Sequence, residues 1–157
     1  MRNLLFTLFV LFTFPLEAKA NLAEVIDYSA KYFTSSWLST PALEKIQPPQ
    51  VVAIPKNTPV WGGCGSGSGM SQRSHVAGSQ WCSATNTISL TVEDMVHFYS
   101  NFGNAAVFYV VAHEYAHAFQ HAYRVRLKAP LHELQADCLA GMFTGSDSQR
   151  LGVTRND

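Results

Sequence analysis

Apolar side chains recur at helical spacing in three segments of the chain. The first segment predicts a helix from about Leu22 to Leu38. The second runs from Asn104 to about Arg126 without glycine or proline and is apolar on several sides, so it predicts a long, largely buried helix. The third predicts a last helix from Pro130 to about Phe143. Its repeating apolar residues are Leu131, Leu134, Cys138, Leu139 and Met142. We expect the polar end, from Gly145 to Asp157, to be frayed.

Two shorter segments have the pattern of β-strands. Val51 to Ile54 is an apolar run between prolines, and Thr85 to Thr91 alternates polar and apolar side chains. Thr91 is followed by two acidic residues, which is typical of a helix N-cap and first turn, and this predicts a further helix to about Phe102. The pattern therefore predicts several helices together with a small sheet.

The first twenty residues have the pattern of a secretory signal peptide. Arg2 is a short basic start, Leu4 to Phe14 is almost entirely apolar, and Ala18-Lys19-Ala20 is an A-x-A cleavage signal. A membrane anchor is the alternative, but this apolar run of 11 residues is short of the roughly 20 that a spanning helix needs. We therefore expect residues 1–20 to be removed and 21–157 to form one secreted or periplasmic domain, with no stable membrane insertion after cleavage.

Composition and charge exclude several classes of protein. Hydrophobic residues make up 47% and charged residues 14% of the chain, which favours a compact domain over a disordered one. Eleven basic residues balance eleven acidic residues, so no net positive field is present to bind a phosphate backbone. We therefore expect no nucleic acid partner. The composition carries no sign of the oligomeric state.

Export changes the interpretation of the three cysteines, because an oxidising compartment favours disulfides. Cys64 and Cys82 flank a flexible stretch, Gly65 to Gly69, in which glycine and serine alternate, and we expect the two cysteines to form a disulfide. Cys138 has apolar neighbours, which predicts a buried free thiol. Zinc ligation by the cysteines is the alternative, but their spacing is not C-x-x-C and no histidine lies beside either loop cysteine at ligand spacing.

An H-E-x-x-H motif, His113 to His117, lies inside the long apolar helix. Residues four apart share one helix face, with Cβ atoms about 5–6 Å apart, so the two imidazoles could bind one metal ion. Glu114 would then be placed to deprotonate a water molecule on the ion. The alternative is a pair of core histidines beside a salt bridge. It is less favoured because burying two histidines and a glutamate without partners is costly.

A catalytic zinc ion usually takes three protein ligands and leaves one position for water. Glu133 is the candidate third ligand, since it lies on the next predicted helix. Asp137 follows four residues later on the same face and could accept a hydrogen bond from the outer N–H of a ligand histidine. His121, one turn after His117, is an alternative ligand. Position 123 is a tyrosine, so the metzincin arrangement with a third histidine there is absent.

Two further roles remain open at this point. His132, Tyr115 and Tyr123 are candidates for stabilising the oxyanion of a tetrahedral intermediate, and the sequence does not choose among them. The strand Thr87 to Thr91 is interpreted as the sheet edge that an extended substrate would join, with a plain structural strand as the alternative.

Five segments, in their order along the chain, resemble the bacterial neutral zinc metallopeptidase family. These segments are Cys64-Gly65, Trp81-Cys82, Ile88-Ser89-Leu90, Val111-Ala112-His113-Glu114-Tyr115-Ala116-His117 and Glu133-Leu134-Gln135-Ala136-Asp137-Cys138-Leu139-Ala140-Gly141. The resemblance implies a zincin-like α+β single domain in which the H-E-x-x-H helix packs on the following helix. It implies Zn²⁺ bound by His113, His117 and Glu133, with Glu114 as the catalytic base. Ser83 to Asn86 departs from the proline and aspartate that the family more often has after the second loop cysteine.

The sequence thus predicts an exported zinc metallopeptidase that hydrolyses a peptide or protein substrate. The alternative is a catalytically inactive zinc-binding module that acts by binding a partner. Glu114 argues against the inactive module, because a purely structural zinc centre needs no such base and usually closes its fourth ligand position.

Overall fold

The computed structural model describes residues 21–60, 64 and 74–152. The predicted signal peptide and most of the glycine-rich stretch lie outside the described residues. The described part of the chain forms five helices and five strands in a small α+β domain. In chain order these are α1 (Leu22–Leu38), β1 (Gln50–Ile54), β2 (Pro59–Val60), β3 (Ser74–His75), β4 (Gln80–Cys82), β5 (Thr87–Thr91), α2 (Val92–Phe102), α3 (Asn104–Ala122), α4 (Leu131–Ser146) and α5 (Ser148–Leu151). The α+β class is as predicted.

Local signals account for several helix boundaries. The side chain of Asn21 accepts a hydrogen bond from the Glu24 backbone and the Glu24 side chain accepts one from the Asn21 backbone, a capping box that begins α1 where it was predicted. Gly103, with φ of 77°, separates α2 from α3. The prediction that α3 extends to Arg126 is wrong. The helix ends at Ala122, because Arg124 adopts a left-handed backbone with φ of 55°.

A three-stranded sheet has the order β1-β5-β4. β1 pairs parallel to β5, and β4 pairs antiparallel to β5 on its other side. The interpretation of Thr87–Thr91 as the substrate edge is therefore wrong, since both edges of β5 already have hydrogen-bonded neighbours. β4 is the edge strand on that side. β5 also packs against α2 and α3, and it is buried from Ile88 to Thr91.

The core is built around α3. Phe33 of α1 lies against Phe108 and Tyr115 of α3, with ring centroids 5.1 Å and 5.0 Å away, and Trp37 stacks on Phe119 at 5.0 Å. Each such ring stabilises the fold by about 1.5–3 kcal/mol through burial alone. Packing on this scale holds α3 firmly, and α3 carries the H-E-x-x-H motif.

The apolar face predicted for α4 is not the buried one. Leu131, Leu134 and Met142 are 57%, 56% and 66% exposed, whereas Ala136 and Ala140 are fully buried. Ala136 and Ala140 belong to a stripe with Glu133 and Asp137, and these small residues allow α4 to lie close to α3. Cys138 lies outside this stripe and is exposed, so the prediction of a free thiol is confirmed and the prediction of its burial is wrong.

The end of the described chain is ordered and not frayed, as far as Gly152. Gly145 and Ser146 continue α4, and α5 follows directly. Leu151 is buried in the core, and the buried Asp147 accepts a hydrogen bond from the Tyr28 hydroxyl. The prediction of fraying is therefore wrong for residues 145–152, because one apolar side chain and one carboxylate tie this segment back to the domain. Residues 153–157 lie outside the described part.

The predicted disulfide between Cys64 and Cys82 is present, with their Cα atoms 5.4 Å apart. It ties residue 64 to the end of β4. In the ranges that the structure describes, no helix combines the length and the apolar character needed to cross a bilayer.

Candidate metal centre

Two helices bring three potential metal ligands together. His113 and His117 lie one turn apart on α3, and Glu133 lies in the first turn of α4. The Nε2 atoms of the two histidines are 3.0 Å apart. Oε2 of Glu133 lies 3.4 Å from Nε2 of His113 and 3.2 Å from Nε2 of His117. These three side chains form the group among the described residues that could hold a metal ion.

The three separations fit a tetrahedral zinc ion. Bonds of about 2.0–2.1 Å at tetrahedral angles place neighbouring ligand atoms roughly 3.3–3.4 Å apart. The observed separations of 3.0, 3.4 and 3.2 Å are close to that value. Two imidazoles and one carboxylate are also a ligand set typical of catalytic zinc. Glu133 is half exposed, so the group is open on one side, where a fourth ligand has room.

Asp137 holds the first histidine. Its Oδ1 atom lies 2.9 Å from Nδ1 of His113 and also accepts a hydrogen bond of 3.0 Å from the hydroxyl of Tyr109. A carboxylate only accepts, so Nδ1 carries the proton and Nε2 presents its lone pair toward the other two ligand atoms. Burial, together with the hydrogen bond to Asp137, raises the pKa of Tyr109 and keeps it a donor.

The predicted position of Asp137 agrees with this geometry, whereas the part played by Tyr109 was missed. Its signal in the sequence was its place one turn before His113 on α3.

Gln120 contacts the second histidine and was also missed. Its side chain is buried, and Oε1 lies 2.9 Å from Nδ1 of His117. Its Nε2 atom donates to the backbone oxygen of His132 at 2.8 Å and to Oε1 of Gln135 at 3.1 Å. The signal that could have revealed it is a long polar side chain one turn after His117, in a helix that is mostly apolar outside the H-E-x-x-H motif.

Glu114 is 6% exposed and faces the same region. Its Oε2 atom accepts a hydrogen bond of 2.7 Å from the backbone N–H of Trp81 in β4. Burial disfavours the charged form and raises the pKa of Glu114 to about 7, and the carboxylate of Glu133 adds to this rise. The Trp81 N–H, and His117 when it is protonated, act in the opposite direction. A carboxyl group with this pKa can take up and release a proton near neutral pH.

A cleft of about 350 Å³ joins these groups. One wall is the edge strand β4 with the residue before it, and the other is formed by α3 and the start of α4. Its lining residues are Ser79, Gln80, Trp81, His113, Glu114, His117, His132 and Glu133. An adjoining cavity of about 390 Å³ shares Ser79, His113 and Glu114, and adds apolar surface from Phe98 and Val110. His113, Glu114, His117 and Glu133 thus line an open cleft that adjoins a second, partly apolar cavity.

The remaining candidates differ in where they lie. His132 lines the cleft, and its ring stacks on that of His117 with centroids 4.9 Å apart. Tyr115 is fully buried, and its hydroxyl lies 3.0 Å from Thr34 Oγ1 on α1. Tyr123 is half exposed and lies outside the cleft. His121 packs against Trp81, with ring centroids 5.2 Å apart, and is not one of the three potential metal ligands. Of the three oxyanion candidates, His132 is the one in the cleft.

In comparisons with known proteins, no family model, curated protein or solved structure matches the chain.

Proposed function

We propose that the protein is an exported zinc metallopeptidase with a zincin-like fold. One observation carries the proposal. Three ligand atoms converge at zinc-like separations beside Glu114, a buried carboxyl group whose pKa is raised to about 7. A structural zinc centre does not need a carboxyl group that can take up and release a proton. The disulfide between Cys64 and Cys82 supports export, because such bonds persist in oxidising compartments.

His113, His117 and Glu133 hold Zn²⁺ in this proposal. Zinc, when bound with an open position, lowers the pKa of a water molecule and polarises a carbonyl group. Asp137 keeps the proton of His113 on Nδ1, so that Nε2 is available as a ligand. The two α3 histidines need only helical geometry to meet, whereas Glu133 depends on the packing of α4 against α3.

Glu114 acts as the general base and then as the general acid. It accepts a proton from the attacking water and passes it to the leaving amine. The N–H of Trp81 holds its carboxylate at the cleft wall. His132, which lines the same cleft, is placed to donate a hydrogen bond to the developing oxyanion.

β4 provides the substrate edge in place of β5. It is the edge strand of the sheet, and two of its three residues line the cleft. An extended peptide can align along such an edge through backbone hydrogen bonds.

The test compares wild-type protein with Glu114→Gln. Both should bind about one zinc ion per chain, because Glu114 is not a ligand. Hydrolysis of an unfolded protein or a mixed peptide library should fall by roughly 10² to 10⁴-fold in Glu114→Gln, the usual consequence of losing a general base. Glu44→Gln is the matched control, since Glu44 is exposed and does not line the cleft. If zinc-loaded wild-type protein cleaves nothing, the inactive zinc-binding module replaces the peptidase.

A further inference from the structure

We propose that Gln120 is a positioning residue that holds His117 in the form with its proton on Nδ1 and ties that histidine to the backbone beside Glu133. The expected effect on zinc affinity rests on the proposed function, whereas the tautomer of the His117 ring is a property of the metal-free protein.

The orientation of the Gln120 amide follows from its neighbours. A backbone carbonyl oxygen can only accept, and the oxygen of His132 lies 2.8 Å from the Gln120 side-chain nitrogen. The amide NH₂ must therefore point toward His132, where it also reaches Oε1 of Gln135 at 3.1 Å. This leaves the amide oxygen facing Nδ1 of His117 at 2.9 Å. The opposite orientation would place two oxygens against each other.

An amide oxygen beside Nδ1 requires that nitrogen to be the donor. In neutral His117 the proton then resides on Nδ1, and the lone pair of Nε2 faces the ligand atoms of His113 and Glu133. A competing arrangement exists, since Nε2 of His117 lies 3.0 Å from Nε2 of His113 and 3.2 Å from Oε2 of Glu133. A proton on Nε2 of His117 would form a direct hydrogen bond to one of these two acceptors, and neither the donor nor that acceptor would then offer a lone pair to a metal ion. Gln120 opposes this arrangement.

The same side chain links the two helices that carry the ligands. Gln120 belongs to α3, and its bond to the His132 oxygen ends at the residue before Glu133. Gln120 is 2% exposed, so water cannot replace these partners. One amide therefore sets both the tautomer of one ligand and the position of the backbone beside another.

The test starts with the wild-type, metal-free protein. The ¹⁵N chemical shifts of the His117 ring, assigned by their absence in His117→Ala, report which nitrogen carries the proton at a pH where the ring is neutral. We expect protonated Nδ1. A proton found on Nε2 in wild-type protein overturns the inference without any variant.

Two substitutions of Gln120 test the hydrogen bonds of its side-chain amide. Gln120→Met keeps the length and removes both hydrogen-bonding functions, so the Nδ1 preference should disappear and zinc affinity should fall by about 10 to 100-fold. Gln120→Glu, when protonated, can donate to the His132 oxygen and accept from His117, so it should keep the wild-type tautomer. Gln135→Met removes only an outer acceptor and is the matched control, which should change neither measurement. Unchanged tautomer and affinity in folded Gln120→Met refute the role.

The outcomes distinguish this inference from the proposed function. A wild-type His117 protonated on Nδ1 in a protein that cleaves no peptide supports the role of Gln120 and contradicts the peptidase. An active peptidase with the proton on Nε2 supports the proposed function and contradicts the role of Gln120.

Discussion

Replacing Glu114 with glutamine should stabilise the metal-free protein at alkaline pH and change its stability little at acidic pH. The reason is the burial of a carboxyl group that is 6% exposed. Its pKa rises from an ordinary 4.5 to about 7 in the folded protein, so folding favours the protonated form. Glutamine has no charge to desolvate and its side-chain oxygen can still accept the Trp81 N–H.

The magnitude follows from the shift. Raising the pKa of Glu114 from 4.5 to about 7, at about 1.4 kcal/mol for each tenfold change in proton affinity, corresponds to roughly 3 to 4 kcal/mol. Below pH 4.5 the folded and unfolded states are both protonated, so Glu114 has no ionisation cost. As pH rises above 4.5 the unfolded state ionises first, so the folded state loses stability progressively until pH passes the pKa of about 7 that Glu114 has in the folded protein. The full difference between Glu114→Gln and wild type should therefore be present above about pH 8.

Chemical denaturation at pH 5 and pH 8.5, with a metal chelator and without a reductant, measures this difference. Subtracting one free energy of unfolding from the other at each pH removes the contributions that the two proteins share. Glu44→Gln should show no such pH dependence. Equal differences at the two pH values, or a less stable Glu114→Gln at pH 8.5, would refute the reasoning that burial of the carboxylate dominates.

Four further predictions concern other parts of the molecule. Glu133→Ala should abolish strong zinc binding in a metal-competition assay, whereas Asp137→Ala should weaken it by about 10 to 100-fold, as expected for a residue that orients a ligand. Leu151→Ala should lower the free energy of unfolding by about 2–3 kcal/mol, because a frayed tail would tolerate the change and a buried one does not. Cys138 should react with one equivalent of a thiol reagent in the folded protein, as judged by mass spectrometry. N-terminal sequencing of the exported protein should begin at Asn21.

Local rules determined much of this protein in advance. The spacing of apolar residues, together with Thr91 and the acidic residues after it, predicted α1, β1 and α2 to within about a residue. His113 and His117 meet because one turn of helix brings them together, and this holds wherever the helix lies. Asp137 could be predicted from the same rule applied to the next helix.

The tertiary structure decided which faces are covered, because that depends on neighbours distant in the sequence. Leu131 and Leu134 have the spacing of a core face, yet α4 turns Ala136 and Ala140 inward, which allows Glu133 to approach the histidines. Pairing with β1 and β4 made β5 a central strand, although its alternating pattern alone fits an edge strand equally well.

Gln120 is the clearest case of a role that only the fold creates. In the sequence it is one of a few polar residues in a mostly apolar helix. Its function appears only when the backbone oxygen of His132 arrives from α4 and fixes the direction of its amide. The sequence by itself determined the chemical groups and their spacing within each helix. The packing of α3 against α4 decided which of these groups face one another, since hydrogen bonds between helices depend on distances that no local pattern encodes.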